Sequence, residues 1–217
     1  MPDYTARRTM MVDTQIRPSD VTKYPIIDAM LSVPREAYVP DDLREAAYLG
    51  ENLEVAPGRV MLDPRTLAKM LDALDLQPHE TVLDLGCALG YSSALIARLV
   101  LGVVAVESDT AMAVEAQRNL SGHDVDNAAV IDGPLAEGAA KHGPYDVIAL
   151  QGGAAAFPDT LVKQLKVGGR IACVFMEGAL GVCRIGHRTE EGVVWRYAFN
   201  ASAPIVEGFE AIAEFAL

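Results

Sequence analysis

The stretch from residue 81 to residue 93 constrains this chain most. An apolar run, Thr81-Val82-Leu83-Asp84-Leu85, ends on Gly86, and the turn Gly86-Cys87-Ala88-Leu89-Gly90 feeds Tyr91-Ser92-Ser93 into a helical pattern. Gly86 permits a sharp turn and leaves room for a ligand against the main chain. A second acidic residue, Glu107, closes the apolar run Val103-Val104-Ala105-Val106, seventeen positions after Gly90. If the two runs are neighbouring strands, that carboxylate can accept both hydroxyls of a ribose.

From residue 81 onward the pattern alternates between strand and helix periods. Strands are expected over 81–85, 103–107, 128–131, 145–150 and 170–175, and helices over 91–100, 110–120 and 158–165. This alternation predicts an α/β fold: a doubly wound, mainly parallel sheet with right-handed crossovers and helices on both faces. The tail alternates apolar and polar residues over 181–188 and 193–199. Joined by Thr189-Glu190-Glu191-Gly192, these read as an antiparallel hairpin on the sheet edge.

The first 64 residues read as a helical cap and loop packed on a main domain of 65–217. They are too short to bury much alone. A helix over 1–18 ends near Pro18. A second, 22–31, starts from Ser19 or Asp20 and tolerates Pro25 in its first turn, and a third covers 41–48. Residues 49–64 read as a loop with a short extended piece, of a length that is usually functional or mobile. Asp63 and Pro64 then take the N-cap and first position of a helix whose stripe is Leu67, Met70, Leu71 and Leu74.

Several function classes are excluded. A net charge of −12 and pI near 4.7 do not suit a protein that grips phosphate backbones by charge. No apolar stretch is long enough to cross a bilayer and no secretory signal pattern is present, which points to the cytoplasm. Cys87, Cys173 and Cys183 read as buried thiols, and none has metal-site spacing to another Cys or a His. His79, His123, His142 and His187 have no partners at metal-ligand spacing and read as surface residues. The turn lacks both the G-x-G-x-x-G spacing of a pyrophosphate site and any G-K-[ST] sequence, so a dehydrogenase and a nucleotide hydrolase are disfavoured. Gln151-Gly152-Gly153-Ala154 offers no pocket for a flipped base. What converges on one crevice is a glycine-bearing turn with the acidic or amide ends Asp84, Glu107, Asp132 and Gln151. That set suits an adenosine carrier with a positive centre.

The chain resembles class I S-adenosylmethionine-dependent methyltransferases, and within them it is similar to protein-L-isoaspartate O-methyltransferases. The resemblance rests on Val82–Gly90 with Glu107, on the block Val33-Pro34-Arg35-Glu36-Ala37-Tyr38-Val39-Pro40, and on Gly90-Tyr91-Ser92-Ser93. Tyr145-Asp146-Val147-Ile148 and Leu165-Lys166-Val167-Gly168-Gly169-Arg170 match as well, so that it covers about residues 10 to 175. It implies a Rossmann-like fold and S-adenosyl-L-methionine as cofactor, with S-adenosyl-L-homocysteine as product. Asp84, Gly86 and Gly90, with Cys87 and Ala88 between them, would form the turn under the methionine part. Glu107 would bind the ribose, Ser108 would sit by the adenine, Asp132 and Gly133 would meet the adenine edge, and Gln151 would lie near the sulfonium. The implied acceptor is an isoaspartyl residue of a damaged protein or peptide.

Two positions depart from that family. Ala88 stands for the middle glycine of the turn. Aligned on Pro64, Val60-Met61-Leu62-Asp63 stands where the family has a Thr-Ile-Ser-Gln-like element whose hydroxyls hold the substrate carboxylate. Met61, Leu62, Asp63 and Tyr91 are therefore the candidate substrate-side residues, although Asp63 also reads as a plain N-cap and Tyr91 as a core aromatic. Three readings stay open: an isoaspartyl methyltransferase, a methyltransferase of the same descent with another small or peptide acceptor, and a non-catalytic cofactor-binding protein. Methyl transfer from a sulfonium needs positioning rather than a general base, so no catalytic side chain is assigned.

Overall fold

The computed structural model describes residues 3–211. The sheet has seven strands, ordered across it as 128–132, 102–107, 81–85, 145–154, 165–177, 180–189 and 192–200. They are β3 (Thr81–Leu85), β4 (Gly102–Glu107), β5 (Ala128–Asp132), β6 (Tyr145–Ala154), β7 (Leu165–Glu177), β8 (Leu180–Thr189) and β9 (Gly192–Asn200). β5, β4, β3, β6 and β7 pair in parallel, and β8 and β9 close the edge as an antiparallel hairpin. β3 lies between β4 and β6, where strand order reverses and ligands of such sheets sit.

Strand residues alternate between two cores, as period-2 geometry demands. Val82, Val147, Ala149, Ala172 and Val174 join the larger cluster, which also holds the N-terminal helices and the helix α3 (Pro64–Leu74). Leu83, Leu85, Ile148, Leu150, Ile171 and Cys173 point the other way, onto Leu135, Leu161, Val206 and Phe209. The α3 stripe of Leu67, Met70, Leu71 and Leu74 is buried as its spacing predicts, and Asp63 caps the helix through the Thr66 amide at 2.9 Å. Helices α4 (Tyr91–Ala97) and α5 (Thr110–Gly122) pack beside β4 and β5. α4 stops before the expected residue 100, and the expected helix 158–165 is a single turn, α6 (Asp159–Val162). β6 runs on past residue 150 because Gly153 pairs with the returning 204–206 segment. β7 begins at Leu165 rather than Arg170, since Tyr145 and Leu165 are already in register.

The cap also differs in detail. α1 spans Tyr4–Met11 and continues as a looser turn through Ile16 and a 3-10 turn ending at Ser19; the first two residues of the expected helix lie outside the described residues. α2 covers Tyr24–Ser32, with Lys23 at its N-cap. Neither Ser19 nor Asp20 caps it: Ser19 Oγ donates to the Gln15 carbonyl, and Asp20 takes a left-handed conformation that ends the preceding turn. Residues 41–46 form a 3-10 turn instead of an α-helix. Residues 49–64 are more ordered than a loop. They contain an antiparallel hairpin, β1 (Leu53–Ala56) and β2 (Arg59–Met61), folded over Pro57-Gly58.

Among the described residues no helix is long and apolar enough to cross a membrane. The three cysteines are buried and unpaired with one another. His79, His123 and His142 are exposed as expected, while His187 is half-buried on β8.

Candidate functional site

At the carboxyl end of β3 the backbone turns through left-handed conformations, with φ of +78° at Gly86, +50° at Ala88 and +100° at Gly90. Gly90 is needed twice over: it starts α4, and a Cβ there would meet the Ala116 carbonyl oxygen at 3.3 Å. Ala88 adopts the same region with a Cβ, at an intrinsic cost of about 1–2 kcal/mol. The turn is held by the Ala88 amide, which donates to Glu107 Oε2 at 2.8 Å.

Glu107 is fully buried at the end of β4. Its Oε1 accepts from the Ser108 and Asp109 amides at 2.9 and 3.2 Å. Its Oε2 accepts from the Ala88 amide and from Arg59 Nη2, the latter at 2.5 Å. Sequence reasoning predicted side-by-side strands with a carboxylate facing the turn, and β3 and β4 do pair, Leu85 opposite Val106.

Asp84 is also fully buried, one strand residue before the turn. The Ser92 and Ser93 hydroxyls each donate to its Oδ2 at 2.6 Å, and the Gln151 amide donates to its Oδ1 at 2.7 Å. Asp84 thus joins the start of α4 to β6, and its oxygens are taken up within the protein. Burial raises its carboxyl above the ordinary aspartate range, while the hydrogen bonds from Ser92, Ser93 and Gln151 pull it back. Cys87 is buried too, and its thiol is pushed well above the usual range, first by burial and then by Asp84 and Glu107.

The structure brings Asp84, Gly86, Cys87, Ala88, Gly90, Glu107, Ser108 and Gln151 to one end of the sheet. Asp132 and Gly133 reach the same end from β5, with the Gly133 amide donating to the Glu107 carbonyl at 3.0 Å; Asp132 is exposed. The four substrate-side candidates separate. Met61, Leu62 and Tyr91 wall a crevice against the turn, of about 10 Å³, room for one water at most. Asp63 borders a wider groove of about 510 Å³, formed with Asn52, Arg65, Thr66, Leu180 and Ser202. Tyr91 is a core aromatic as well as a wall, with the Arg35 guanidinium 4.9 Å above its ring.

Two arginines escaped the sequence reading. Arg35 is fully buried; its Nε donates to the Ala47 carbonyl at 2.6 Å and its Nη2 to the Leu62 carbonyl at 2.7 Å. Burial lowers its pKa, yet a guanidinium starts so high that it stays charged. Arg35 therefore fixes the end of the hairpin from behind. Arg59 enters the site because residues 53–61 form a hairpin, and the Pro57-Gly58 pair between two short apolar segments was the signal for it.

The residues fit an adenosyl ligand chemically: a carboxylate at the end of β4, a glycine-bearing turn beside it and an exposed aspartate at the end of β5. In this conformation the hairpin and Arg59 lie across the turn.

The profile of a family described as protein-L-isoaspartate(D-aspartate) O-methyltransferase matches residues 6–194. Protein-L-isoaspartate O-methyltransferase 2 of Pelobacter propionicus is 34% identical over 193 residues, 85% of this chain and 86% of the relative. Protein-L-isoaspartate O-methyltransferase of Syntrophus aciditrophicus is 36% identical over 171 residues, 79% of this chain and 78% of the relative. Among solved structures, a protein-L-isoaspartate O-methyltransferase superimposes with a TM-score of 0.81 at 23% identity, over 93% of this chain and 66% of the other. A second, described as a putative protein-L-isoaspartate O-methyltransferase from Plasmodium falciparum in complex with S-adenosyl-L-homocysteine, gives 0.78 at 17% identity, over 95% and 99% of the two chains.

Proposed function

This chain belongs to the protein-L-isoaspartate(D-aspartate) O-methyltransferase family, and from that membership we propose that its acceptor is the carboxylate of isoaspartyl residues in damaged proteins or peptides. It is an S-adenosylmethionine-dependent O-methyltransferase. The observation that carries the reading is the join between the β3 turn and the end of β4, where buried Glu107 accepts the Ala88 amide.

S-adenosylmethionine, when bound, supplies a methyl group on a positive sulfur. Everything else falls to the protein's own residues. Glu107 would hold the ribose hydroxyls, Ser108, Asp132 and Gly133 would border the adenine, and the turn from Gly86 to Gly90 would carry the amino-acid part. Asp84 and Gln151, hydrogen-bonded to each other, would keep turn and strand in register instead of reaching the ligand. Met61, Leu62 and Tyr91 would exclude water from the reacting carboxylate, and the groove beside Asp63 would take the peptide. A carboxyl acceptor with a reference pKa near 4 is ionised at neutral pH, so no general base is required. Residues 1–64 act as the cap and hairpin cover over a cofactor domain of 65–217, in a cytoplasmic protein that acts on neither nucleic acid nor membrane.

A different small or peptide acceptor is the second reading, favoured by the missing hydroxyls at Val60-Met61-Leu62. Calorimetry with S-adenosylhomocysteine, followed by an isoaspartyl peptide and assay of methyl ester, separates them. Binding of both with ester formed is the expected result; cofactor binding without ester rejects the isoaspartyl acceptor.

A further inference from the structure

Glu107, the carboxylate proposed to take the cofactor ribose, is held by a side chain of the protein. Arg59 lies on β2, and its Nη2 is 2.5 Å from Glu107 Oε2, with the guanidinium side chain 12% exposed and the carboxylate not at all. It rests on the glycine turn closely enough that a Cβ built on Gly86 would meet Nη2 at 3.0 Å and Nη1 at 3.2 Å. The pair is incompletely matched, because Arg59 Nε is buried with no hydrogen-bond partner. Taking two ions out of water is costly, and the attraction offsets that cost only when the remaining N–H groups are also satisfied. A guanidinium with a buried orphan donor, set against a carboxylate, is a poor permanent strut. It keeps a donor unused that another anion could take.

The same hairpin forms the acceptor side. Val60, Met61 and Leu62 follow Arg59 directly and carry no hydroxyl, the Leu62 carbonyl is already taken by Arg35, and the Asp63 carboxylate accepts the Thr66 amide. A carboxylate arriving there meets apolar side chains and one bound anion. Arg59 supplies the strong donor that this strand otherwise lacks, in a fork suited to a bidentate carboxylate.

We propose that Arg59 is both an internal competitor for the ribose site and, once displaced, the cation that recognises the acceptor carboxylate. Both halves rest on the reading under Proposed function, the competitor half on Glu107 as the ribose ligand and the acceptor half on the isoaspartyl carboxylate. Ribose hydroxyls take Glu107 Oε2, the guanidinium is released, and the acceptor pairs with it. Cofactor therefore binds before acceptor, and the empty protein keeps its carboxylate-binding cation out of reach.

The test compares wild type with Arg59→Ala and Arg59→Gln, the second keeping length and polarity should the first unfold. A latch closed about 90% of the time raises the apparent Kd about tenfold, so both variants bind S-adenosylhomocysteine about tenfold more tightly by calorimetry. Loss of a charge-assisted bidentate contact lowers kcat/KM for an isoaspartyl peptide by about 10- to 100-fold, with Arg59→Lys between the extremes. Unchanged or weaker S-adenosylhomocysteine affinity in both variants overturns the competitor role. Tighter binding with kcat/KM unchanged overturns the acceptor role. Wild-type protein that binds S-adenosylhomocysteine but leaves the peptide unmethylated removes the acceptor half along with the isoaspartyl reading, and calorimetry still decides the competitor.

Discussion

Asp84 offers the sharpest separation between a ligand-binding and an internal role. Its two oxygens accept the Ser92 and Ser93 hydroxyls at 2.6 Å and the Gln151 amide at 2.7 Å, all inside the protein. Asp84→Ala strands these donors where water does not reach, since Ser92, Ser93 and Gln151 are each 5% exposed or less. One unsatisfied buried donor costs about 1–3 kcal/mol. Removing a buried charge returns part of that, so a net loss of about 3 kcal/mol is expected, a fall in Tm of about 6–12 °C for a chain of this length. Asp84→Asn is different. With its carbonyl toward the two serines and its amide toward Gln151, a flip of the Gln151 amide restores every bond, and a loss within about 1 kcal/mol is expected at pH 7.

The pH dependence follows from the same geometry. Burial raises the folded-state pKa of Asp84 above the ordinary aspartate value of 3.8, so the folded protein holds that proton more tightly. Its contribution to stability is complete below about pH 3.8 and is lost as pH rises through the folded-state value. Asp84→Asn lacks this loss, so the stability of the variant relative to wild type improves as pH rises through that window. Urea unfolding of wild type and both variants between pH 4 and pH 8, with S-adenosylhomocysteine affinity in parallel, measures all of this. The affinity of Asp84→Asn stays within a few-fold. An Asn variant as unstable as Ala, with no change in relative stability across pH, would refute the internal-hub argument. Lost affinity in a stable variant would make Asp84 a ligand contact.

Three further outcomes are expected. Arg170 forks onto Glu80 at 2.7 and 2.8 Å and its Nε donates to the Leu74 carbonyl at 2.6 Å, so Arg170→Lys, which keeps the charge but not the fork, lowers stability by about 2 kcal/mol in urea unfolding. Asp63→Ala loses the cap on α3 and about 1 kcal/mol, whereas Asp63→Ser restores most of it; peptide KM that follows the cap rather than the charge assigns Asp63 to structure. Burial pushes the Cys87 and Cys173 thiols well above their usual range and Cys183 up to about 12, so a thiol reagent at pH 8 labels none of them before urea unfolds the chain.

Where sequence and structure agree, a local pattern and a global need coincide. The run 81–85 could only be a buried strand, because Val82 and the Leu83–Leu85 pair feed opposite cores, and the helix after Gly90 follows from the turn. The stripe on α3 was equally legible. Arg59 was not, because its role depends on a partner at Glu107, far along the chain, and on hairpin register rather than on any local periodicity. The same reason hid the length of β6: glycines at 152 and 153 read as a strand end, yet Gly153 pairs with residues 204–206. Asp84 was legible as the acidic residue near the end of β3, but its partners Ser92, Ser93 and Gln151 come from elements whose approach only packing sets.

The groove beside Asp63 has an implication for synthesis. Asn52 Nδ2 donates to the Ser202 carbonyl at 2.7 Å across 150 residues of sequence, while Asn52 Oδ1 accepts the Asp63 amide at 2.9 Å. One wall comes from the first third of the chain and the opposite wall from its last strands. During translation the turn, Glu107 and the hairpin are made early. The groove has no second wall until residue 202 has left the ribosome, so a nascent chain carries half of this end of the molecule before the groove exists.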